Sequence, residues 1–406
     1  MLSKLFVSRL FEAFSIHRWN DRIRPFDLTE MDKNAFKAVI AYFLGKYEEK
    51  AGKKVDWNYI IYGVLFALLK NIVLSDLKSP VHRLLKNEYP IEFKKLNEWV
   101  IQQYEDIIGD SNLLNNFRKF LNEDSDEESI NLKILRAAHK YSTYREFCII
   151  KQLNMNFPFI QKIQKELNSE MVKFMEFQGI QNLYTEQQLY ELTCTIEQLR
   201  YQIRWSQTPR IPRTSVLGHS LFVACLMIIF SRELNVCQNR LYNNFFGALF
   251  HDLPEAVTRD IISPVKRATK KLPKIIKEIE KRVCEDSLYP LIPKFIKEDI
   301  FYLIGEGLGE TDEFSNRIYQ DGKSKILGDD EKICDYNKDE FNPIDGKLIE
   351  LADKISAFLE AYISIQHGIS SRHLQDGASQ LKNKYIRSKD INGIRINKFF
   401  MEFELI

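Results

Sequence analysis

An eight-residue segment of this chain recurs in altered form, and a repeat of that kind restricts the fold more than any other feature of the sequence. DLKSPVHR, Asp76 to Arg83, returns as DIISPVKR, Asp260 to Arg267, with five of eight residues identical at an offset of 184. Upstream, His17-Arg18-Trp19 lies on Ile203-Arg204-Trp205 at an offset of 186, and the same offset sets Phe36 and Ala38 on Phe222 and Ala224. Downstream, LRAAHKYSTYRE, Leu135 to Glu146, lies on IELADKISAFLE, Ile349 to Glu360, at an offset of 214. The matches keep their order, so the chain reads as a tandem duplication with units 1-178 and 179-406. The offset grows between the last two matches, which locates an insertion in the second unit, the polar stretch near 305-346. Its glycines, acids and asparagines predict a long loop, mobile or lid-forming. The shorter acidic stretch Asn122 to Ser129 predicts a solvated loop.

The repeated element is helical. Phe36, Val39, Ile40 and Phe43, and later Leu221, Val223, Leu226 and Ile229, recur at helical spacing, while alternating strand patterns are nearly absent. Hairpin signals such as Asn392-Gly393 are few and lack flanking strand runs, so the expected class is all-α. A chain of 406 residues with 45% apolar and 28% charged residues has a globular composition, which excludes disordered, collagenous and disulfide-scaffold classes. The net charge of +2 gives no general drive toward nucleic acid or an acidic membrane, and neither is expected as a partner. The six cysteines form no C-x-x-C pair and read as reduced thiols. The start, MLSKLFVSRLFEAF, has its apolar residues broken by Lys4 and Arg9 and predicts an amphipathic helix, not a signal peptide. The longest apolar run, Ser220 to Phe230, is shorter than the about 20 residues of a membrane span. A cytoplasmic protein is expected.

Chemistry concentrates in the second unit. Gly218-His219-Ser220 opens a helix, His251-Asp252 lies in ALFHDLPEAV, expected as one helix, and Asp353 lies in ELADKISAFLE. Two imidazoles and two carboxylates on three helices suit Mn, Fe, Co, Ni or Zn and leave positions open for water and substrate. A divalent ion supplies a Lewis acid and hydroxide near neutral pH, and it offsets the cost of burying Asp252 and Asp353. No further histidine lies between these motifs to hold a second ion, so one metal is expected. Glu255 follows Asp252 by three residues on the expected helix and faces the same cleft as a general acid or base. Asp260 falls at the cleft mouth, and Arg204 and Trp205 offer a fork donor for phosphate and a flat face for a base or sugar. The bland alternatives are a capping or core role for His219, a buried hydrogen-bonded pair for His251-Asp252, an exposed helix residue for Asp353, and packing for Arg204-Trp205, since that pair persists as Arg18-Trp19. Arg259, Lys266 and Arg267 read as a solvated basic face, and His17, His82, His367 and His373 as surface or core residues.

Together IRWSQTPRIPRTSVLGHS, FHDLPEAVTRDIISPVKR and ELADKISAFLEA resemble the HD-domain metal phosphohydrolases, most closely the bacterial 5'-deoxynucleotidases of that superfamily, over roughly residues 195-385. The resemblance implies a single divalent metal, Mn or Co ahead of Mg, Zn, Fe or Ni, on His219, His251, Asp252 and Asp353. It implies Glu255 and Asp260 as catalytic residues and Arg204, Trp205 and Thr258 as substrate contacts. The implied reaction is hydrolysis of deoxyribonucleoside 5'-monophosphates to nucleoside and phosphate, and for this chain deoxyribo- or ribonucleoside 5'-monophosphates are the expected substrates. Two positions depart from the family: Gly218 replaces a Glu, and Arg259 replaces the Gly between Thr258 and Asp260. The 305-346 insertion has no family equivalent. These departures leave open a triphosphate, an alarmone or a cyclic nucleotide as substrate, or a nucleotide-sensing scaffold.

The duplicate is an internal control. At the matching offsets His219 becomes Lys33, His251-Asp252 becomes Ala67-Leu68, Glu255 becomes Asn71 and Asp353 becomes His139. The expected architecture is therefore two tandem HD-like helical units, the first without metal ligands and noncatalytic. The chain is expected to act as a homodimer or as a pseudo-dimer within one chain.

Overall fold

The structure, a computed structural model, describes residues 2–75, 77–123, 129–259, 268–307, 313–328, 330–388 and 390–404. Among the described residues, several helices start on a side-chain cap. Ser3, Asp56, Asp110, Ser129, Ser215 and Ser371 each accept a hydrogen bond from the backbone N–H three residues on, satisfying a donor that the first helical turn leaves orphaned. The chain divides into two compact units: Met1–Ala41 with Val55–Phe174, and Tyr42–Lys54 with Met175–Ile406. Helix Glu30–Lys50 contributes to both.

In the first unit Trp57–Leu74 and Ile130–Lys151 are the long core helices. Leading into Glu30–Lys50 is a short closed loop: His17 bridges Thr29, Arg18 N–H donates to the Leu28 carbonyl at 2.7 Å, and Glu30 N–H to that of Ile16 at 2.9 Å. The second unit builds the same loop 186 positions later. Ile203 bridges Ser215, Arg204 N–H donates to the Thr214 carbonyl and Val216 N–H to that of Gln202, both at 3.0 Å. Each loop turns on a tryptophan with left-handed backbone, φ 52 at Trp19 and φ 57 at Trp205. A bulky residue is strained there by roughly 1–3 kcal/mol, so something must hold it.

That holder is a glutamate from the last long helix of each unit. Trp19 Nε1 and Arg18 Nε donate to Glu146 at 3.0 and 2.9 Å. Trp205 Nε1 donates to Glu360 at 2.8 Å, and Arg204 Nε lies 3.2 Å from the same carboxylate.

Helix Val216–Glu233 forms the centre of the second unit, with Val216 through Ser231 all buried. It and Trp57–Leu74 are long and apolar enough to cross a membrane by length and composition, but 89% of Val216–Glu233 is buried inside the protein, as in a core helix. Helix Gln238–Phe250 packs against it and stops at Phe250, with His251 as its C-cap. The expected continuous helix ALFHDLPEAV is thus two pieces, Gln238–Phe250 and the short Glu255–Thr258, joined by a turn. Pro254 is the reason: within a helix it would have no N–H to donate and its ring would meet the Phe250 carbonyl four residues back.

The insertion is not a bare loop. Strands Arg317–Gln320 and Lys323–Ile326 pair antiparallel around Asp321-Gly322, both at positive φ, over a small core of Ile318, Leu327 and Ile333. Arg317 is fully buried and donates to the carbonyls of Leu303, Glu313 and Ser315 at 3.1 to 3.2 Å. Its backbone exchanges two hydrogen bonds with Ile344, 3.1 and 2.9 Å, two residues before helix Gly346–Gln366 begins. A Cβ at Gly346 would lie 2.3 Å from the Ser315 carbonyl oxygen, so only glycine allows that approach. Apart from this hairpin and isolated bridges, the described residues form an all-α fold.

Candidate active site

Three backbone devices aim side chains at one point in the second unit. Ser215 caps helix Val216–Glu233 and sets His219 in its first turn; the Pro254 break sets His251 and Asp252 at the end of the next helix; Asp353 and Ser356 lie one turn apart on Gly346–Gln366. One ligand atom each from His219, His251 and Asp353 lies within 4.8 Å of the others. Asp252 joins them, its Oδ2 3.3 Å from His251 Nε2 and 3.8 Å from His219 Nε2.

The imidazoles are presented as ligands are. His251 Nδ1 lies 2.7 Å from the Ala248 carbonyl, which can only accept, so Nδ1 carries the proton and Nε2 of the neutral ring a lone pair. His219 Nδ1 meets the Ser356 hydroxyl at 2.9 Å. His219 Nε2, His251 Nε2 and Asp252 Oδ2 are buried and make no well-formed hydrogen bond, His219 Nε2 lying 3.1 Å from Asp353 Oδ1. Three orphaned polar atoms facing one another are costly without a shared ligand, and a divalent cation satisfies all three at once. The donor set therefore fits a metal; its chemistry of two nitrogens and two carboxylates admits several first-row ions.

Charge tunes the cluster further. Burial alone would raise the Asp353 carboxyl, but Lys354 (Nζ to Oδ2, 2.7 Å), His219 and Arg204 outweigh it and hold Asp353 well below the usual carboxylate range. Burial and then Arg204 push His219 below its ordinary value, against the pull of Asp353 and Asp252. A ring that stays unprotonated at neutral pH does not make protons compete with a metal.

Arg204 is the hub. Its Nε pairs with Glu360, Nη2 lies 3.5 Å from Asp353 Oδ1 and Nη1 3.7 Å from Asp252 Oδ2. Glu360 also accepts from the Thr214 hydroxyl at 2.6 Å. Burial would raise Glu360, yet Arg204 and Arg210 bring it down to about 2. Against about 4.5 for an unperturbed glutamate, this depression corresponds to about 3 kcal/mol of stability that is fully present above pH 4.5 and lost as the pH falls toward 2. Glu360→Gln should lower stability by about that amount at neutral pH and flatten the acid limb of the stability curve, measured by urea unfolding across pH 2–7.

The expected residues are only partly brought together. His219, His251, Asp252, Asp353 and Arg204 converge. Trp205 joins through Glu360, its ring edge against Gly377, where a Cβ would come within 3.2 Å. Glu255 opens the short helix after the Pro254 turn, its carbonyl accepting from Gln202 at 2.9 Å, so its placement follows from that turn and not from one helical face. The Thr258 hydroxyl donates to the Pro254 carbonyl at 3.1 Å. Asp260, Lys266 and Arg267 lie outside the described residues. Residues missed in the sequence are Glu360, Thr214 and Ser356. For Glu360 a signal was present: the aligned segments both end in Glu, and the Arg-Trp pair persists with it.

Arg259 is exposed at φ 66, ψ 157, a backbone region that only glycine occupies without strain. Arg259→Gly should stabilise the protein by about 1 kcal/mol, strain relief exceeding the added unfolded-chain entropy, read as a higher Tm.

An HD-domain family model matches residues 196–382. Among curated proteins, a 5'-deoxynucleotidase of Pasteurella multocida is 26% identical over 185 residues, 44% of this chain and 86% of that protein. A 5'-deoxynucleotidase of Yersinia pseudotuberculosis is 23% identical over 184 residues, 44% of this chain and 82% of that protein. The matched span contains all four converging His and Asp side chains together with Arg204, Trp205 and Glu360. Residues 196–382 are thus an HD domain of the phosphohydrolase type, and the chain is a hydrolase.

Proposed function

We propose that the second unit is a metal-dependent phosphomonoesterase that converts deoxyribonucleoside or ribonucleoside 5'-monophosphates to nucleoside and phosphate. The observation that carries this reading is the set of orphaned Nε2 and Oδ2 atoms of His219, His251 and Asp252 beside Asp353, with a guanidinium at its rim. His219, His251, Asp252 and Asp353 would hold one divalent ion, Mn or Co ahead of Mg, Zn, Fe or Ni. When bound, such an ion supplies Lewis acidity toward phosphoryl oxygens and makes water a better nucleophile at neutral pH.

The remaining work falls to the chain. Arg204, fixed through Nε by Glu360, turns its two Nη groups toward the ligand carboxylates, where they can donate to phosphoryl oxygens as charge builds on them. Glu255 handles the proton, taking it from the attacking water or giving it to the leaving oxygen. Trp205 has its N–H committed to Glu360 and offers its half-buried ring as a face for base or sugar. Thr258 and Asp260 complete the proposed substrate and catalytic sets. The matched loops, left-handed tryptophans and Arg-Trp-Glu contacts support the duplication, with the first unit noncatalytic. Six free thiols fit a cytoplasmic setting.

The test is phosphate release from a panel of ribo- and deoxyribonucleoside 5'-monophosphates with Mn, Co, Mg or Zn, beside Asp252→Ala. Metal-dependent release lost in the variant is expected, and the panel gives the sugar and base preference. No release by folded, metal-loaded protein would reject the monophosphatase and turn the search to triphosphates, alarmones, cyclic nucleotides or a sensing role.

A further inference from the structure

In the first unit the positions that match the metal ligands hold no carboxylate: Lys33 stands for His219, Ala67-Leu68 for His251-Asp252 and His139 for Asp353. Lys33, at the place of His219, is 2% exposed, and its Nζ lies 3.1 Å from Nδ1 of His139, at the place of Asp353. Lys37, one turn further along helix Glu30–Lys50, is 3% exposed, and the half-buried Lys70 of Trp57–Leu74 is near enough to act on its charge. The acids in this region are already used. Glu30 is held by Arg18 at 2.9 Å, by Asn34 at 2.8 Å and by Asn71; Glu146 is held by Arg18 and Trp19. Among the described residues, Lys37 and Lys70 make no ion pair or hydrogen bond.

Among the described residues, Arg18 takes up both Glu30 and Glu146, which leaves the buried Lys33 and Lys37 and the half-buried Lys70 without a carboxylate in hydrogen-bond contact. Burial, then Arg18 for Lys33 and Lys70 for Lys37, pushes both ammonium groups down to about 7. Lys33, then burial, drives His139 well below its ordinary value, and burial with Lys70 and Lys86 takes His82 to about 4. Buried ammonium groups without an acid are costly, and a bound anion removes that cost. An oxyanion offers several acceptor oxygens to these N–H donors, and its charge favours their protonated form.

We propose that the first unit is an anion-binding site in which Lys33, Lys37 and Lys70 receive a phosphate group, either free phosphate or the phosphate of a nucleotide. The site stands on the first unit's own residues and does not depend on what the second unit hydrolyses.

Binding of inorganic phosphate and, separately, of AMP and dAMP would be measured by isothermal titration calorimetry on the full chain as purified, on Lys37→Met and on Lys70→Met. Metal content and Tm are recorded alongside. In both variants one phosphate site should disappear or weaken at least about tenfold while metal content is unchanged. Lys37→Met should also melt at a higher temperature without phosphate, because an unpaired buried charge is gone, which shows that the loss is not unfolding. If a nucleotide binds this site more tightly than phosphate and loses that binding in the variants, the ligand is a nucleotide; tighter free phosphate identifies the inorganic ion. Isotherms identical in wild type and both variants, or no phosphate binding by wild type at millimolar concentration, would overturn the proposal.

Discussion

Asp353→Asn should give a folded protein that has lost its metal. The substitution keeps the side chain's shape on helix Gly346–Gln366 but removes one of two carboxylates from the cluster, leaving His219 and His251 with Asp252 alone. It also leaves Lys354 and Arg204 facing a neutral amide where Asp353 now lies 2.7 and 3.5 Å away, so excess positive charge further disfavours a cation. Loss of an outer partner of a metal ligand typically costs 10- to 100-fold in affinity, and loss of the ligand itself should exceed about 100-fold. Phosphate release should fall in step. Metal content by mass spectrometry, with circular dichroism to show the fold, checks it; a variant that keeps both metal and turnover would remove Asp353 from the ligand set.

Arg204→Lys should keep the metal and lose turnover. A lysine carries the same charge, but one ammonium cannot hold Glu360 through one nitrogen while turning two others toward Asp252 and Asp353. Removing a donor that acts on developing transition-state charge costs about 10²–10³ in kcat. Because Glu360 also anchors Trp205 and Thr214, a drop in Tm is expected as well, smaller than in Glu360→Gln, where the shared acceptor itself is neutralised. A kcat unchanged at normal metal content would assign Arg204 to the fold alone.

The helical class was legible from local spacing, and the grouping of His219, His251, Asp252 and Asp353 from their ligand chemistry and from the motif order of the family they resemble. What escaped depends on partners far apart in sequence or on single backbone breaks. Glu360 lies 156 positions from Arg204, and only the persistence of Glu146 beside Arg18-Trp19 hinted at it. Pro254 was present in ALFHDLPEAV, yet apolar periodicity ran across it and concealed the turn that sets His251 apart from Glu255. Asp321-Gly322 is a strong hairpin signal that the polar character of its surroundings obscured. Arg259 stood out as a departure from the family's glycine, but its cost is seen only in the left-handed backbone it occupies.

The pairing of Arg317 with Ile344 gives the insertion a mechanical office. Helix Gly346–Gln366 starts two residues beyond that joint, with Gly346 pressed against the Ser315 backbone, so the hairpin serves as the mortise in which the Asp353 helix is seated. Its length sets where that helix begins its first turn, and a shift of one residue would swing Asp353 by about 100° around the helix axis. Trimming this segment to shorten the protein would therefore retune the metal site from some distance along the chain.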